Sequence, residues 1–223
     1  TAKLLKQIWD EVSEYKNIFE VVYGESNVAN QIIQSPLTKI VCFTGSTAVG
    51  RKIAEVCAPI FKPVILELGG KDPMIILEDA NIDRSVEAAI FGGFSNAGQT
   101  CISVERIFVH EKIYPEIVEK LSEEIQKKTS GKGDTPIGAI SVDVSLEKIK
   151  QQINDAKNNS EVIEGKGNSG WFIAPTLVIN PPSEAKILQE ETFGPVMTIH
   201  PFKSNEKAIE LANKTGYGLS ASI

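Results

Sequence analysis

The sequence predicts an α/β protein in which helices cover a largely parallel sheet. Two observations carry that expectation. Short apolar runs close on glycine or acidic turns, as in KIVCFTG, KPVILELGG and PMIILED, and stretches whose apolar residues recur at helical spacing stand between most of them. Such alternation favours parallel pairing, because parallel neighbours need a long crossover and a helix supplies it.

The elements follow in order. Leu4, Leu5, Ile8, Trp9 and Val12 repeat at helical spacing, and IFEVVYG, Ile18 to Gly24, reads as a short buried strand. KIVCFTG is a strand ending at Gly45, and TAVGRKIAEVCAPI is a helix with Val49, Ile53 and Cys57 on one face. KPVILELGG is the next strand. The texture changes after the Gly69-Gly70 pair, which sets a domain boundary and divides the chain into 1–69 and 70–223. PMIILED then reads as a strand, and a helix from about Ile82 carries Val86, Ile90 and Phe94.

Beyond Cys101, ERIFVH is strand-like, and Pro115 suits the first turn of a helix through Ile117, Leu121 and Ile125. SGKGDTPIGA is a loop, and a helix through Leu146, Ile149, Ile153 and Ala156 follows it. WFIAPTLVIN and GPVMTIHPF are strands separated by KILQEETF. A last helix through Ala208, Ile209 and Ala212 stops near Gly216, and YGLSASI has the look of a strand. Both ends fall inside patterned segments, so the expectation is a piece of a longer chain.

Composition narrows the functions. The 223 residues carry a formal net charge of -6, and no clustered Lys and Arg supply the phosphate-binding patch that nucleic acid needs. No apolar run is long enough for a membrane span. Cys42, Cys57 and Cys101 form no C-x-x-C pair, and His110 and His200 are far apart, so no metal site is expected. Unpaired, widely spaced cysteines fit a reducing compartment, hence a cytoplasmic protein.

Three places could hold chemistry. Cys42 and Cys57 lie in apolar contexts and read as core residues, whereas Cys101 follows Gly98, Gln99 and Thr100, a small polar run that lets a substrate approach. It is either a nucleophile or a buried turn cysteine. Glu67 sits inside the apolar VILE, where partial desolvation would make it a readier proton acceptor; the alternative is an edge-strand carboxylate facing water. FTGSTAVG, Phe43 to Gly50, places Gly45 and Ser46 where a strand gives way to a helix, which suits a phosphate or is a plain helix cap. It lacks the middle glycine of the G-x-G-x-x-G pattern.

FTGSTAVG, LELGGKDP, NAGQTC and EETFGP, in that order and spacing, resemble the NAD(P)-dependent aldehyde dehydrogenase superfamily over essentially the whole chain. The resemblance implies part of a Rossmann-like cofactor domain over 1–69 and an α/β catalytic domain of the aldehyde dehydrogenase type over 70–223. It implies that Cys101 attacks the aldehyde carbon, that Glu67 activates the water that hydrolyses the resulting thioester, and that the Cys101 N–H helps hold the oxyanion. Gly45 and Ser46 then match positions that approach the cofactor pyrophosphate, with Val49 near the adenine, and Glu191 and Phe193 match those at the nicotinamide ribose and ring.

On the same resemblance the cofactor is NAD or NADP, the substrate is a small aldehyde, and the full-length form is a homo-oligomer, a dimer or tetramer. CISVER after the nucleophile leans toward a semialdehyde. The co-occurrence of Glu67 and Cys101 favours hydrolysis over transfer to another acceptor. In relatives, the segments carrying an oxyanion asparagine, an adenine-ribose lysine and the oligomerisation strand fall outside the span of this chain. The alternative expectation is therefore an inactive fragment or binding remnant.

Overall fold

The computed structural model describes residues 1–15 and 17–223. Its contacts divide into two compact units, Thr1–Leu68 and Gly69–Ile223.

The first unit has helices α1 (Ala2–Val12), α2 (Ser26–Gln34) and α3 (Thr47–Cys57) and the parallel strands β1 (Val41–Thr44) and β2 (Val64–Glu67). Side chains alternate across a strand. Val41, Phe43, Val64 and Leu66 therefore pack on Ile33, Ile53 and Cys57, while Cys42, Thr44, Ile65 and Glu67 line the opposite, more open face.

That alternation corrects one expectation: Cys42 is exposed and is not a core residue. Glu67 is exposed too, the water-facing arrangement of the two weighed for it. The buried stripe of α3 is Gly50, Ile53 and Cys57, with Val49 turned outward at 44% exposure. Ile18 to Gly24 is not a strand: among the described residues no neighbour supplies the ladder that a strand consists of, and Ile18, Val22 and Tyr23 are exposed.

The second unit is a five-stranded sheet in the order β3-β4-β7-β6-β5. Its strands are β3 (Asp72–Ile76), β4 (Val104–His110), β5 (Glu161–Glu164), β6 (Thr176–Ile179) and β7 (Val196–Phe202). All neighbours are parallel except the edge pair β5 and β6. Helices α4 (Ile82–Phe94), α5 (Tyr114–Lys127) and α6 (Asp143–Asn159) cover one face. Val86, Leu121 and Ile149 there meet Ile107, Val109, Met197 and Ile199 of the central strands in one continuous core.

The alternate residues Ile75, Phe108 and Phe202 turn to the other face, where Ala208 of α8 (Asn205–Ala212) joins them. A short α7 (Lys186–Gln189) stands between β6 and β7. The final YGLSASI is no full strand; Ser222 alone bridges the β3 edge, with Ile75 N–H donating to its carbonyl at 2.8 Å. No helix among the described residues is long and apolar enough to cross a membrane.

Candidate active site

In the first unit, β1 ends at Thr44 and the chain turns through Gly45 into α3, with Ser46 as its cap. The Ser46 hydroxyl accepts the Val49 N–H at 3.4 Å, and the first turn carries no acidic side chain. A helix start with its positive end free of carboxylates suits an anion. Gly45 N–H donates to the Glu67 carbonyl at 3.0 Å, so the parallel ladder continues past Thr44. Gly45, Ser46 and Glu67 thus share the carboxyl ends of two parallel strands, where open α/β sheets bind ligands.

In the second unit, α4 stops at Phe94 and the chain reverses its handedness. Asn96, Ala97 and Gly98 have φ of 52°, 57° and 68° in succession. Only glycine adopts this region freely. A side chain at Gly98 would also run into the Gly194 carbonyl oxygen, which is why glycine stands there.

Gln99 then pins the turn. Its Nε2 donates to the Ala139 carbonyl at 3.0 Å, and its Oε1 accepts the Ser141 N–H at 2.9 Å and the Ser141 hydroxyl at 2.8 Å. Cys101 follows, exposed, in a turn closed by Ser103 N–H donating to the Thr100 carbonyl at 3.0 Å. A Cβ on Gly70 would lie 2.6 Å from the Cys101 carbonyl oxygen, so the glycine pair lets the start of β3 pass directly beside the thiol-bearing turn.

Behind this turn lies a buried polar cluster. Lys71, 1% exposed, donates to the Glu105 carboxylate and, at 3.0 Å, to the Thr192 hydroxyl. Glu105 also accepts the N–H groups of Thr192, at 2.9 Å, and Phe193, at 3.0 Å. Burial pushes the Lys71 ammonium below its usual range in spite of the Glu105 partner. Arg106 Nε donates to the Lys71 carbonyl at 2.8 Å.

The Glu191 carboxylate accepts the Gly70 N–H at 3.3 Å and lies where a Gly69 side chain would be. Burial, then the nearby charge of Glu105, raises its pKa above the usual carboxylate range. Asp72, beside Lys71 in sequence, is raised by burial to about 6, with one carboxylate oxygen accepting the Ser220 N–H at 3.3 Å.

The structure therefore brings Cys101, Glu191 and Phe193 around the Gly69–Lys71 segment of one unit, and Gly45, Ser46 and Glu67 around two strand ends of the other, with Val49 outward on α3. Lys71, Glu105, Thr192 and Gln99 were not singled out by sequence as a supporting set. The signal was faint: a lysine after a glycine pair and a glutamate opening an apolar strand, each beside an opposite charge, Asp72 and Arg106, that does not point to its distant partner. Among the described residues, no group of three or more His, Cys, Asp or Glu is placed to hold a metal.

The family model of the Aldehyde dehydrogenase family matches residues 1–223. Succinate-semialdehyde dehydrogenase [NADP(+)] GabD of Escherichia coli is 38% identical over 92% of this chain and 44% of that protein. Among solved structures, a putative aldehyde dehydrogenase PutA from Anabaena variabilis superposes with a TM-score of 0.91 at 36% identity, over 97% of this chain and 48% of that one. An NAD-dependent aldehyde dehydrogenase from Sinorhizobium meliloti gives 0.91 at 34% identity, over 98% and 45%. The chain spans a little under half the length of these relatives.

Proposed function

Because this chain belongs to the aldehyde dehydrogenase family, we propose that it oxidises an aldehyde to a carboxylic acid with NAD or NADP, using Cys101 as nucleophile and Glu67 as base. The observation that carries this reading is the exposed Cys101 thiol, presented by a left-handed turn beside Gly70. The deprotonated Cys101 sulfur adds to the carbonyl carbon, and the negative charge moves to the oxygen, where the Cys101 N–H can donate to it.

NAD or NADP bound here would supply the hydride acceptor for this carbon. Gly45 and Ser46 at the start of α3 would hold its pyrophosphate, with Val49 toward the adenine, and Glu191 and Phe193 would hold the nicotinamide ribose and ring. The fit rests on the acid-free first turn of α3 and on the half-buried Glu191 carboxylate. A thioester on Cys101 remains. Glu67 takes a proton from water, the resulting hydroxide adds to the thioester carbon, and the Cys101 sulfur leaves as thiolate with the carboxylic acid as product.

A semialdehyde is the proposed substrate class, supported by the CISVER segment and by the names of relatives such as GabD and the glutarate-semialdehyde dehydrogenase of Pseudomonas putida. The protein in its full-length form acts on this reading as a cytoplasmic dimer or tetramer. The relatives named above do not favour an inactive remnant, since each is described as a dehydrogenase or a putative one.

The test is the appearance of reduced nicotinamide when the protein meets succinic semialdehyde with NAD, then NADP, beside an unsubstituted four-carbon aldehyde. A rise that Cys101→Ala abolishes is expected. A rise that survives Cys101→Ala would remove the nucleophile assignment, and an equal rate with the plain aldehyde would remove the semialdehyde preference.

A further inference from the structure

We propose that Lys71 and Glu105 are positioning residues: a buried latch that fixes the backbone of Glu191 to Phe193 and so sets the two side chains that face the cofactor. This rests on the reading of Glu191 and Phe193 given above.

The segment from Glu190 to Gly194 belongs to no helix or strand, so its N–H groups must be satisfied otherwise. Those of Thr192 and Phe193 go to a single carboxylate, Glu105, and that of Glu191 donates to the Tyr217 hydroxyl at 3.4 Å. Phe193 is held at φ 55°, a left-handed conformation that a large side chain adopts only when its surroundings impose it. Two of the bonds that impose it come from Glu105.

Glu105 is in turn fixed by Lys71, which reaches across to the same segment through the Thr192 hydroxyl. Lys71 cannot drift, because Arg106 Nε holds its carbonyl at 2.8 Å. Its neighbour Gly70 donates to the Glu191 carboxylate. Two consecutive residues just before β3 therefore hold two side chains of the segment directly, and Glu105 holds two of its N–H groups, through a charge pair that is 1% exposed at Lys71 and 3% at Glu105. A buried pair of this kind is a poor device for stability alone, since apolar replacements often serve as well. Its use here is directional: an apolar side chain at position 105 could not accept the Thr192 and Phe193 N–H groups.

The experiment compares amide exchange across the natural full chain of the wild type, Glu105→Ala and Lys71→Met, with the alkylation rate of Cys101 as a check on the nearby turn. Exchange of the 190–194 segment should accelerate about tenfold or more in both variants, the effect of losing a hydrogen bond to a charged group, with α5 and β4 as protected as before. The KM for the cofactor should rise by a similar factor while Cys101 alkylation without cofactor stays unchanged. The double variant Lys71→Met, Glu105→Gln, which keeps an acceptor oxygen and buries no charge, should recover most of the protection. If Glu105→Ala does not fold, Thr192→Val removes one contact of the latch at nearly constant shape and should open the same segment to a smaller degree.

Unchanged exchange at 190–194, or acceleration spread evenly over the unit, overturns the latch. A wild type that reduces neither cofactor defeats the functional reading instead, and the exchange result still decides whether the latch exists.

Discussion

Gly70 and Cys101 stand so close that a single methyl group on the glycine would lie 2.6 Å from the cysteine carbonyl oxygen. That neighbour is backbone and cannot swing aside as a flexible side chain would. Gly70→Ala is therefore expected to cost about 1–3 kcal/mol of stability, more than Gly69→Ala, whose methyl meets the movable end of the Glu191 side chain. Denaturant melts on the two variants check this; equal losses would show that the Cys101 turn can yield.

The three thiols differ in access. Cys42 and Cys101 are exposed and Cys57 is 1% exposed. Brief alkylation of the native protein should label Cys42 and Cys101 and spare Cys57, and loss of activity should follow the label on Cys101 alone. Cys42→Ala should leave turnover within about twofold, as an open surface position does. Peptide mapping against residual activity decides it, and inactivation tracking Cys42 would reverse the assignment.

Glu67→Gln keeps the shape and removes the proposed base. The first half of the reaction should proceed and the second should stall, so a covalent adduct on Cys101 builds up in the intact-mass spectrum and steady turnover falls about 10²-fold or more. Unchanged turnover places the base elsewhere.

Two groups, the buried Asp72 and the half-buried His200, set opposing responses to acid. Burial raises Asp72 from 3.8 to about 6, so the folded state holds its proton more firmly and stability falls as pH rises through that window. Burial lowers His200 from 6.5 to about 4, so the folded state resists protonation and stability falls as pH drops from 6.5 toward 4. Each contributes about 3 kcal/mol at most, and between pH 4 and 6 the two slopes oppose one another. Asp72→Asn should leave a stability that rises with pH over this range, and the His200→Gln variant one that falls, the raised Glu191 adding to the second slope. Denaturation midpoints at pH 4, 5 and 6 read both, and parallel profiles for the two variants would refute the opposition.

Much of the architecture was legible because periodicity reports burial. Ile117, Leu121 and Ile125 are spaced for one helix face and all three are fully buried. The same logic misled at Ile18 to Gly24, since an apolar run marks a strand only when a neighbour pairs with it. It misled again at Cys42, where a two-stranded sheet packs one face only. β5 escaped notice because EVIE puts glutamates at both ends of a short apolar pair. The segments around Cys101 and Glu191 could be picked out from local motifs. Their support could not, because Lys71 and Glu105 are 34 residues apart and Glu105 and Thr192 are 87 apart, and nothing in either neighbourhood names its partner.

The reversed strand β5, outermost among the described strands, has a bearing on which strands could extend this sheet. An outermost strand offers its unused N–H and C=O groups to any chain that can extend the sheet. Here that strand begins and ends with Glu161 and Glu164, the latter already paired with Lys157 at 2.6 Å. A second copy laying the same strand alongside, in register and in either direction, would set two carboxylates against two carboxylates, and like charges directly opposite one another oppose pairing. In-register pairing of β5 with a second β5 is thus disfavoured.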